Sequence, residues 1–408
     1  MARIAFLDSW LQQVAEGSGT AAAIGGLGRA LQARGHQVTR IAPLKPWPAS
    51  LTARRLLFNL HVPALLRALR YDLIVGFDID GFLAADRAPA PYVCSIKGVI
   101  AEELLHERGA VRRQLWGLSR LERHNARRAP LVLTTSEYCR SRIGYHYGVP
   151  ASKVRLVPEG IDLPFWRRLL AAAGDPAPDG RVVLCVARQY PRKRIADLLR
   201  AFALLRRPFP DARLAIIGDG PEHARLRALA SALRLDATVT FTGALPDDAA
   251  VAAWYRRASV FCLPSAQEGF GIVFLEAMAA GLPIVATTAA AVPEVVPAGQ
   301  AGLLVPPGDI HALAAALAEL LERPALRADL GAYGQEHVRR YDWARVAERF
   351  CAAVADQRDM GEPGCPIPPP RGMVWQGYAP REVGCRVFRR MLASYAPRGA
   401  LSHGQKVE

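Results

Sequence analysis

No run of this 408-residue chain approaches the ~18 uninterrupted apolar residues that a membrane span requires. No two of its seven cysteines form a C-x-x-C pair. Cys94, Cys139, Cys185, Cys262, Cys351, Cys365 and Cys385 are scattered and odd in number. That speaks against a disulfide framework or a zinc cluster and suits a reducing cytoplasm. The opening segment, Met1 to Trp10, reads as a strand carrying Asp8 rather than as a secretory leader. Acidic charge is scarce, with 37 Asp and Glu against 52 Lys and Arg, a formal net charge of +15. Most of that excess falls in residues 1–180, which hold 24 basic and 15 acidic side chains. A basic face attracts nucleic acid, anionic lipid or an anionic substrate, and charge alone does not choose among them. An arginine-rich composition also arises from genome bias alone.

What is present is ordinary globular chemistry. Hydrophobic residues make up 51% and charged residues 22%, which excludes wholesale disorder. The length implies two domains. Short apolar runs alternate with helical patterns: Arg3–Leu7, Gln37–Ala42, Asp72–Gly76, Pro91–Ser95, Leu131–Thr135 and Lys153–Val157 in the first half. Val182–Ala187, Leu214–Gly218, Val239–Thr242, Val260–Leu263, Ile284–Ala286 and Gly302–Val305 repeat the scheme. Between the first two of these, Ile195, Leu198, Leu199, Phe202 and Leu205 mark one helix face. Continuous apolar strands separated by helices imply parallel sheets covered on both faces. The expected fold is therefore α/β, two doubly wound domains facing a central cleft, at residues 1–172 and 181–341. They join through the Ala-, Gly-, Pro- and Asp-rich segment 171–180. Residues 342–355 form a terminal helix. From 356 to 408 the chain becomes a proline-rich tail, in which Arg386–Tyr395 resembles a short basic helix.

Ligands of open α/β sheets bind beyond the carboxyl ends of the strands, and two motifs sit there. The first runs from Ser265 to Pro283. A glycine-rich turn carries Glu268, Gly269 and Gly271, then a helix opens at Ile272 with Glu276 about one turn inside. Glycines let backbone approach a ligand, and the helix N-terminus offers free N–H groups and a positive dipole end. Glu276 is placed to accept ribose hydroxyls, and Glu268 those of a sugar beyond the phosphates. As ordinary surface, they would be a solvated helix residue and a dipole-compensating one. The second motif places Arg188 at a strand end and Lys193 five residues later. A guanidinium fork and a mobile ammonium suit a diphosphate, although a solvated basic turn would look the same.

With Ile217-Gly218-Asp219-Gly220-Pro221, Phe241-Thr242-Gly243, Gly281-Leu-Pro283 and Tyr341-Asp342-Trp343, these spacings resemble the retaining glycosyltransferases of family 4, with the GT-B fold of two Rossmann-like domains. Glu16-Gly-Ser-Gly19-Thr, the run from Leu31 to Val38, Ser136-Glu137 and Val157-Pro-Glu-Gly160-Ile-Asp162 agree. The resemblance spans residues 1–355. It implies a catalytic group of Glu268, Arg188 and Lys193. Donor binding would fall to Glu276, Gly19, Gly218 and Leu245, with the backbone of Phe270, Gly271 and Ile272. The first domain would take the acceptor, and the terminal helix would cross back to it. The implied chemistry is front-face transfer from a nucleoside-diphosphate sugar in glycan, glycolipid or cell-envelope biosynthesis, with no cofactor, no metal and no enzyme nucleophile.

Two positions depart from the family pattern. Lys97 stands where His is common, and Glu159 where Asn usually precedes the glycine. Lys97 is expected either to meet an anionic acceptor or to pair with Asp80; both are acceptor-side candidates. Asp78-Ile-Asp80 has the letters of a metal site without its context. Gly17-x-Gly19-x-x-Ala22 fits a dinucleotide fingerprint in letters only, since the next strand lacks a ribose-binding acid. A sugar-nucleotide epimerase of the same fold is a rival reading. Another is a basic protein that binds nucleic acid or membrane without catalysis, from the stretch Arg108, Arg112, Arg113, Arg120, Arg123, Arg127 and Arg128. No nucleic-acid motif accompanies that stretch. Leu51–Leu60, with Phe58, Arg54 and Arg55, has the pattern of an interfacial helix. The expected partners are thus a nucleotide-sugar donor and an anionic or lipid-linked acceptor. The expected location is cytoplasmic, peripheral at the inner face of a membrane.

Overall fold

The structure, a computed structural model, describes residues 1–9, 19–43, 50–68, 70–174 and 180–359. The fingerprint letters at Gly17, the core of the inter-domain linker and nearly all of the proline-rich tail, including Arg386–Tyr395, lie outside them. Among the described residues twelve strands form two sheets. The first holds β1 (Arg3–Leu7), β2 (Gln37–Ile41), β3 (Leu73–Phe77), β4 (Tyr92–Ile96), β5 (Leu131–Thr134) and β6 (Val154–Leu156). The second holds β7 (Val182–Val186), β8 (Arg213–Ile217), β9 (Val239–Gly243), β10 (Val260–Leu263), β11 (Ile284–Thr287) and β12 (Gly302–Val305). Every pairing is parallel. β3, β4, β5, β10 and β11 are buried along their whole length, the consequence of helices covering both faces. The expected apolar runs all appear as strands, shifted by about one residue at their ends.

Strand order decides where ligands bind. The first sheet runs β2-β1-β3-β4-β5-β6 and the second β12-β11-β10-β7-β8-β9. The winding direction reverses between β1 and β3 in one, and between β7 and β10 in the other. At such a switch point neighbouring loops diverge to opposite faces and leave a crevice beyond the strand ends. Asp8 and Asp78 stand at the first crevice, Arg188 and Ser265 at the second. Helix Ile195–Leu205 crosses from β7 to β8 with Ile195, Leu198, Leu199, Phe202 and Leu205 buried, as its spacing predicts.

The last helix, Trp343–Asp359, packs on the first domain. Trp343, Val346 and Phe350 share a buried cluster with Phe6, Leu27 and Phe77. Its start is fixed by two backbone bonds, from Ile161 N–H to the Tyr341 carbonyl at 2.9 Å and from Trp343 N–H to the Ile161 carbonyl at 3.1 Å. The Trp343 indole is wedged between two glycines, because a Cβ on Gly26 would lie 2.3 Å from it and one on Gly160 2.6 Å. The five cysteines among the described residues are free thiols, and all but Cys351 are buried.

The wedge makes neighbouring glycines respond in opposite ways. Gly26→Ala should destabilise by about 1–3 kcal/mol through overpacking against Trp343. Gly25→Ala meets only the Arg29 guanidinium at 3.4 Å. It should be neutral, or stabilising by about 0.5–1 kcal/mol through helix propensity. Urea unfolding of the two variants side by side measures the difference.

Candidate functional site

The crevice between β7 and β10 gathers opposite charges. Lys193 Nζ donates to Glu268 Oε1 at 2.5 Å, and the Ser265 hydroxyl donates to the same oxygen at 2.8 Å. Glu268 is buried, so this ammonium and hydroxyl are what keep its carboxylate satisfied. Arg188 is exposed, its guanidinium 5.6 Å from the Tyr190 ring centre. Gln189, wholly buried, holds the loop between the two cations: its amide donates to the Gly218 carbonyl at 2.6 Å and its side-chain oxygen meets His223 at 3.0 Å. Gly218 has φ 110, and a Cβ there would sit 2.2 Å from the Ala187 carbonyl oxygen, so only glycine lets the loops after β7 and β8 pack together. Leu245, just past β9, lies partly buried against the core of this domain.

Gly271 precedes helix Ile272–Ala279 with φ 91, a left-handed conformation that favours glycine, and no side chain caps the first N–H groups of the helix. Phe270 is buried, its ring packed edge-on to Tyr341 at 5.5 Å. Glu276, partly buried on the same helix, accepts from the Tyr255 hydroxyl at 2.8 Å. Burial raises its carboxyl pKa to about 7; Tyr255 pulls the other way and Asp248 adds to the rise.

The first domain closes over this loop. Gly19 opens helix Gly19–Ala33, and a Cβ on it would lie 3.3 Å from Ile272 Cδ1. The Thr135 and Ser136 hydroxyls both donate to the Gly269 carbonyl at 2.9 Å. Glu294 accepts from the N–H groups of Glu137 at 2.7 Å and Tyr138 at 2.8 Å, capping helix Glu137–Tyr147 from the other domain. Arg192 reaches Glu103 at 3.6 Å and Glu107 at 4.0 Å. Gly19 and Ser136-Glu137 belong to motifs visible in the sequence, whereas the contacts of Thr135, Glu294, Glu103 and Glu107 have no sequence signature; Gln189 and Arg192 were marked only by standing between Arg188 and Lys193.

At the first switch point two expectations are corrected. Asp80 is fully buried and accepts from the Ser9 N–H at 2.8 Å and Asn59 at 2.9 Å, with Arg55 3.9 Å away. It braces β1 against β3 and offers no surface to an acceptor. Lys97 does not pair with Asp80. Its Nζ sits 3.2 Å from Glu159 Oε1 and 3.3 Å from Oε2, both residues being buried. Lys97 is thus neutralised internally, and the two departures from the family pattern are partners. Helix Leu51–Ala68 also differs from the interfacial reading. Arg54 and Arg55 are 6% and 2% exposed, and Arg55 donates to the Ser9 hydroxyl at 3.0 Å beside Asp78 and Asp80. Buried counter-charges on neighbouring loops, invisible in the helix itself, turn that face inward. Among the described residues no three His, Cys, Asp or Glu side chains converge as a metal-binding group.

Two doubly wound parallel sheets with facing crevices define the GT-B class of glycosyltransferase folds. Residues 17–165 match the Glycosyltransferase Family 4 family and residues 170–337 the family Glycosyl transferases group 1. The chain is 33% identical over 280 residues to a GDP-mannose-dependent alpha-(1-6)-phosphatidylinositol monomannoside mannosyltransferase of Mycobacterium tuberculosis, covering 64% of this chain and 71% of that one. It is 32% identical over 252 residues to the protein of the same name from Mycolicibacterium smegmatis, covering 57% of this chain but only 63% of that relative's length. Sucrose-phosphate synthase from Thermosynechococcus elongatus superposes with a TM-score of 0.74 at 24% identity, over 88% of this chain and 100% of that one. The chain belongs to glycosyltransferase family 4.

The Lys97–Glu159 pair predicts an asymmetric mutational response. Glu159→Ala leaves a buried ammonium without its counter-ion and should cost about 3–5 kcal/mol. Lys97→Met together with Glu159→Leu, which removes both charges, should cost much less than either single change. Denaturant unfolding of the full double-mutant cycle measures the coupling.

Proposed function

We propose that this chain is a retaining glycosyltransferase that moves a hexosyl group, with mannose from GDP-mannose the leading candidate, onto a hydroxyl of an anionic lipid-linked acceptor. The observation that carries the reading is the Lys193–Glu268 ion pair on the glycine-rich loop that opens helix Ile272–Ala279, with Glu276 about one turn inside that helix. The mannosyl donor and the phosphatidylinositol-type acceptor are those in the names of the relatives.

In this reaction the C1–O bond to the diphosphate breaks while negative charge builds on the leaving oxygen. Arg188, Lys193 and the free N–H groups at Ile272 meet that charge without reorganising, the arrangement from which electrostatic catalysis draws its strength. Glu276 accepts from the ribose hydroxyls and Glu268 from those of the sugar. The acceptor oxygen bonds to C1 on the face the diphosphate is leaving. Its proton passes to the departing phosphate oxygen, so configuration is retained and no enzyme nucleophile is needed. The cations do the work of a metal, and no cofactor takes part.

Incubation with GDP-mannose or UDP-glucose, with and without a phosphatidylinositol-type acceptor, tests the reading: product should form only with acceptor, whereas an epimerised nucleotide sugar without it would overturn transfer. Lys193→Ala and Glu276→Ala should each lower kcat/KM by roughly 10- to 150-fold, the loss of a charge-assisted contact worth about 1.5–3 kcal/mol, in proteins that remain folded. Activity should survive EDTA; abolition by chelation and rescue by magnesium or manganese would refute the cationic scheme.

The raised pKa of Glu276 gives a pH dependence with a definite sign. Before donor binds, the carboxyl is largely neutral below pH 7. Ribose hydroxyls donate to the carboxylate, so donor binding favours ionisation and releases a proton. Affinity measured by calorimetry should therefore rise with pH up to about 7 and then level, and Glu276→Gln should flatten the profile. The stability of the ligand-free protein runs the other way. Its Glu276 contribution, complete below the unfolded pKa near 4.5, is lost as pH rises through 7.

A further inference from the structure

Helix Gly109–Arg128 is sharply two-faced. Leu118, Glu122, Asn125 and Ala126 turn inward and are buried. Arg112, Trp116, Arg120, Arg123 and Arg127, at spacings of four, four, three and four, form one exposed outer stripe, flanked by Arg108 and Arg113. The helix has a single acid, Glu122, and it is wholly buried, accepting from the Ile100 N–H at 3.0 Å and from the Tyr147 hydroxyl. Among the described residues no ion pair joins Arg108, Arg112, Arg113, Arg120, Arg123 or Arg127 to a carboxylate; Arg128 alone has one, with Asp86 at 2.6 Å. The face is therefore uncompensated positive charge.

It is also apolar at one end. Leu105, Val111 and Trp116 are 51%, 46% and 56% exposed, and the Arg120 guanidinium lies 4.9 Å from the Trp116 ring centre. A cavity of about 620 Å³ opens beside the stripe, lined by Trp116, Arg120, Arg123, His124, Arg127 and Arg128 and by none of the donor-site residues. Arginines attract phosphate oxygens, while tryptophan and short aliphatic side chains partition into the layer just beneath lipid headgroups. The apolar end also adjoins the cleft, because Glu103 and Glu107, immediately before the helix, bind Arg192 next to Lys193.

We propose that the outer face of helix Gly109–Arg128 docks this protein on an anionic lipid bilayer, the arginine stripe meeting headgroup phosphates and Leu105, Val111 and Trp116 entering the interface. The partner is the bilayer surface itself. The proposal deepens the lipid-linked acceptor reading and rests on it for its purpose, since docking here would bring such an acceptor to the cleft mouth. Nucleic acid is disfavoured by the exposed apolar end of the face.

The test is co-sedimentation of the full chain with vesicles of phosphatidylcholine alone or mixed with phosphatidylinositol, at rising salt. Binding should require the acidic lipid and weaken as salt shortens the screening length from about 8 Å at physiological strength. Each basic residue near an acidic surface is worth about fivefold, so Arg112→Gln/Arg120→Gln/Arg123→Gln/Arg127→Gln should lose on the order of a hundredfold or more. Trp116→Ala should lose less, and should leave a residue of binding that remains salt-sensitive. A control removing four exposed arginines elsewhere, Arg167→Gln/Arg168→Gln/Arg207→Gln/Arg227→Gln, should bind as the unaltered protein does. Thermal shift with GDP-mannose checks that every variant is folded and binds donor equally. Equal losses in the stripe and control variants would overturn the proposal. So would absent vesicle binding, or RNA binding abolished by the stripe variant in place of lipid binding. Sedimentation needs no turnover, so vesicle binding without transfer to lipid would count against the acceptor reading alone. Transfer in detergent without vesicle binding would count against docking alone.

Discussion

The carbonyl of Gly269 is the point on which the site depends. It belongs to the glycine-rich loop of the second domain, yet its hydrogen-bond donors are the Thr135 and Ser136 hydroxyls and the Cys139 thiol of the first. A part-buried peptide oxygen without its donors is costly, so contact between the domains helps to hold this loop in its observed course. Close packing reinforces the bond, since a Cβ on Gly269 would lie 3.0 Å from the Lys97 carbonyl oxygen. Ser136 serves twice, because its oxygen also accepts from the Cys139 N–H at 3.1 Å as the N-cap of helix Glu137–Tyr147. Glu294 completes the seam by placing a carboxylate at that helix's positive end. Glu268, adjacent to Gly269, is thus positioned by both domains at once.

The strands were legible because parallel strands covered on both faces leave continuous apolar runs, and the helix over Ile195–Leu205 because its buried face repeats at helical spacing. The Glu268 to Glu276 interval was equally readable, since both residues lie in one loop and the helix it opens. The cross-domain bonds were not readable. Thr135, Glu103 and Glu294 acquire their roles from partners more than a hundred positions away or from another sheet's loops, and nothing local distinguishes them from solvated residues. Helix Leu51–Ala68 shows the opposite failure. Leucines mixed with Arg54 and Arg55 have the pattern of a membrane-surface helix, but the acids that bury Arg55 stand at the end of β3.

Lys97 and Glu159 show how two apparent anomalies become one ordinary feature. Taken singly, each puts a charge where the family usually has a neutral side chain, and a single buried charge is expensive. Together they form a neutral unit, in which burial raises the Glu159 pKa and the Lys97 ammonium holds it down. The substitution is electrostatically conservative at the level of the pair although neither half is.

The same accounting locates the basic excess of the first domain. Arg40 is bound to Asp8, Arg55 to Asp78 and Asp80, Lys97 to Glu159, and Arg142 to Glu102. These cations are spent inside the fold and project little field. Among the described residues the outer stripe of helix Gly109–Arg128 has no comparable carboxylates, so its arginines form the densest run of the surplus, while others such as Arg167 and Arg168 stand exposed elsewhere. At the donor site a similar economy applies to Lys193. Its ammonium carries three donors and uses one on Glu268. In the proposed reaction it can turn another to the diphosphate without releasing that carboxylate. Phosphate recognition and sugar recognition would then share one side chain, and a donor lacking either group would leave part of the pair unsatisfied.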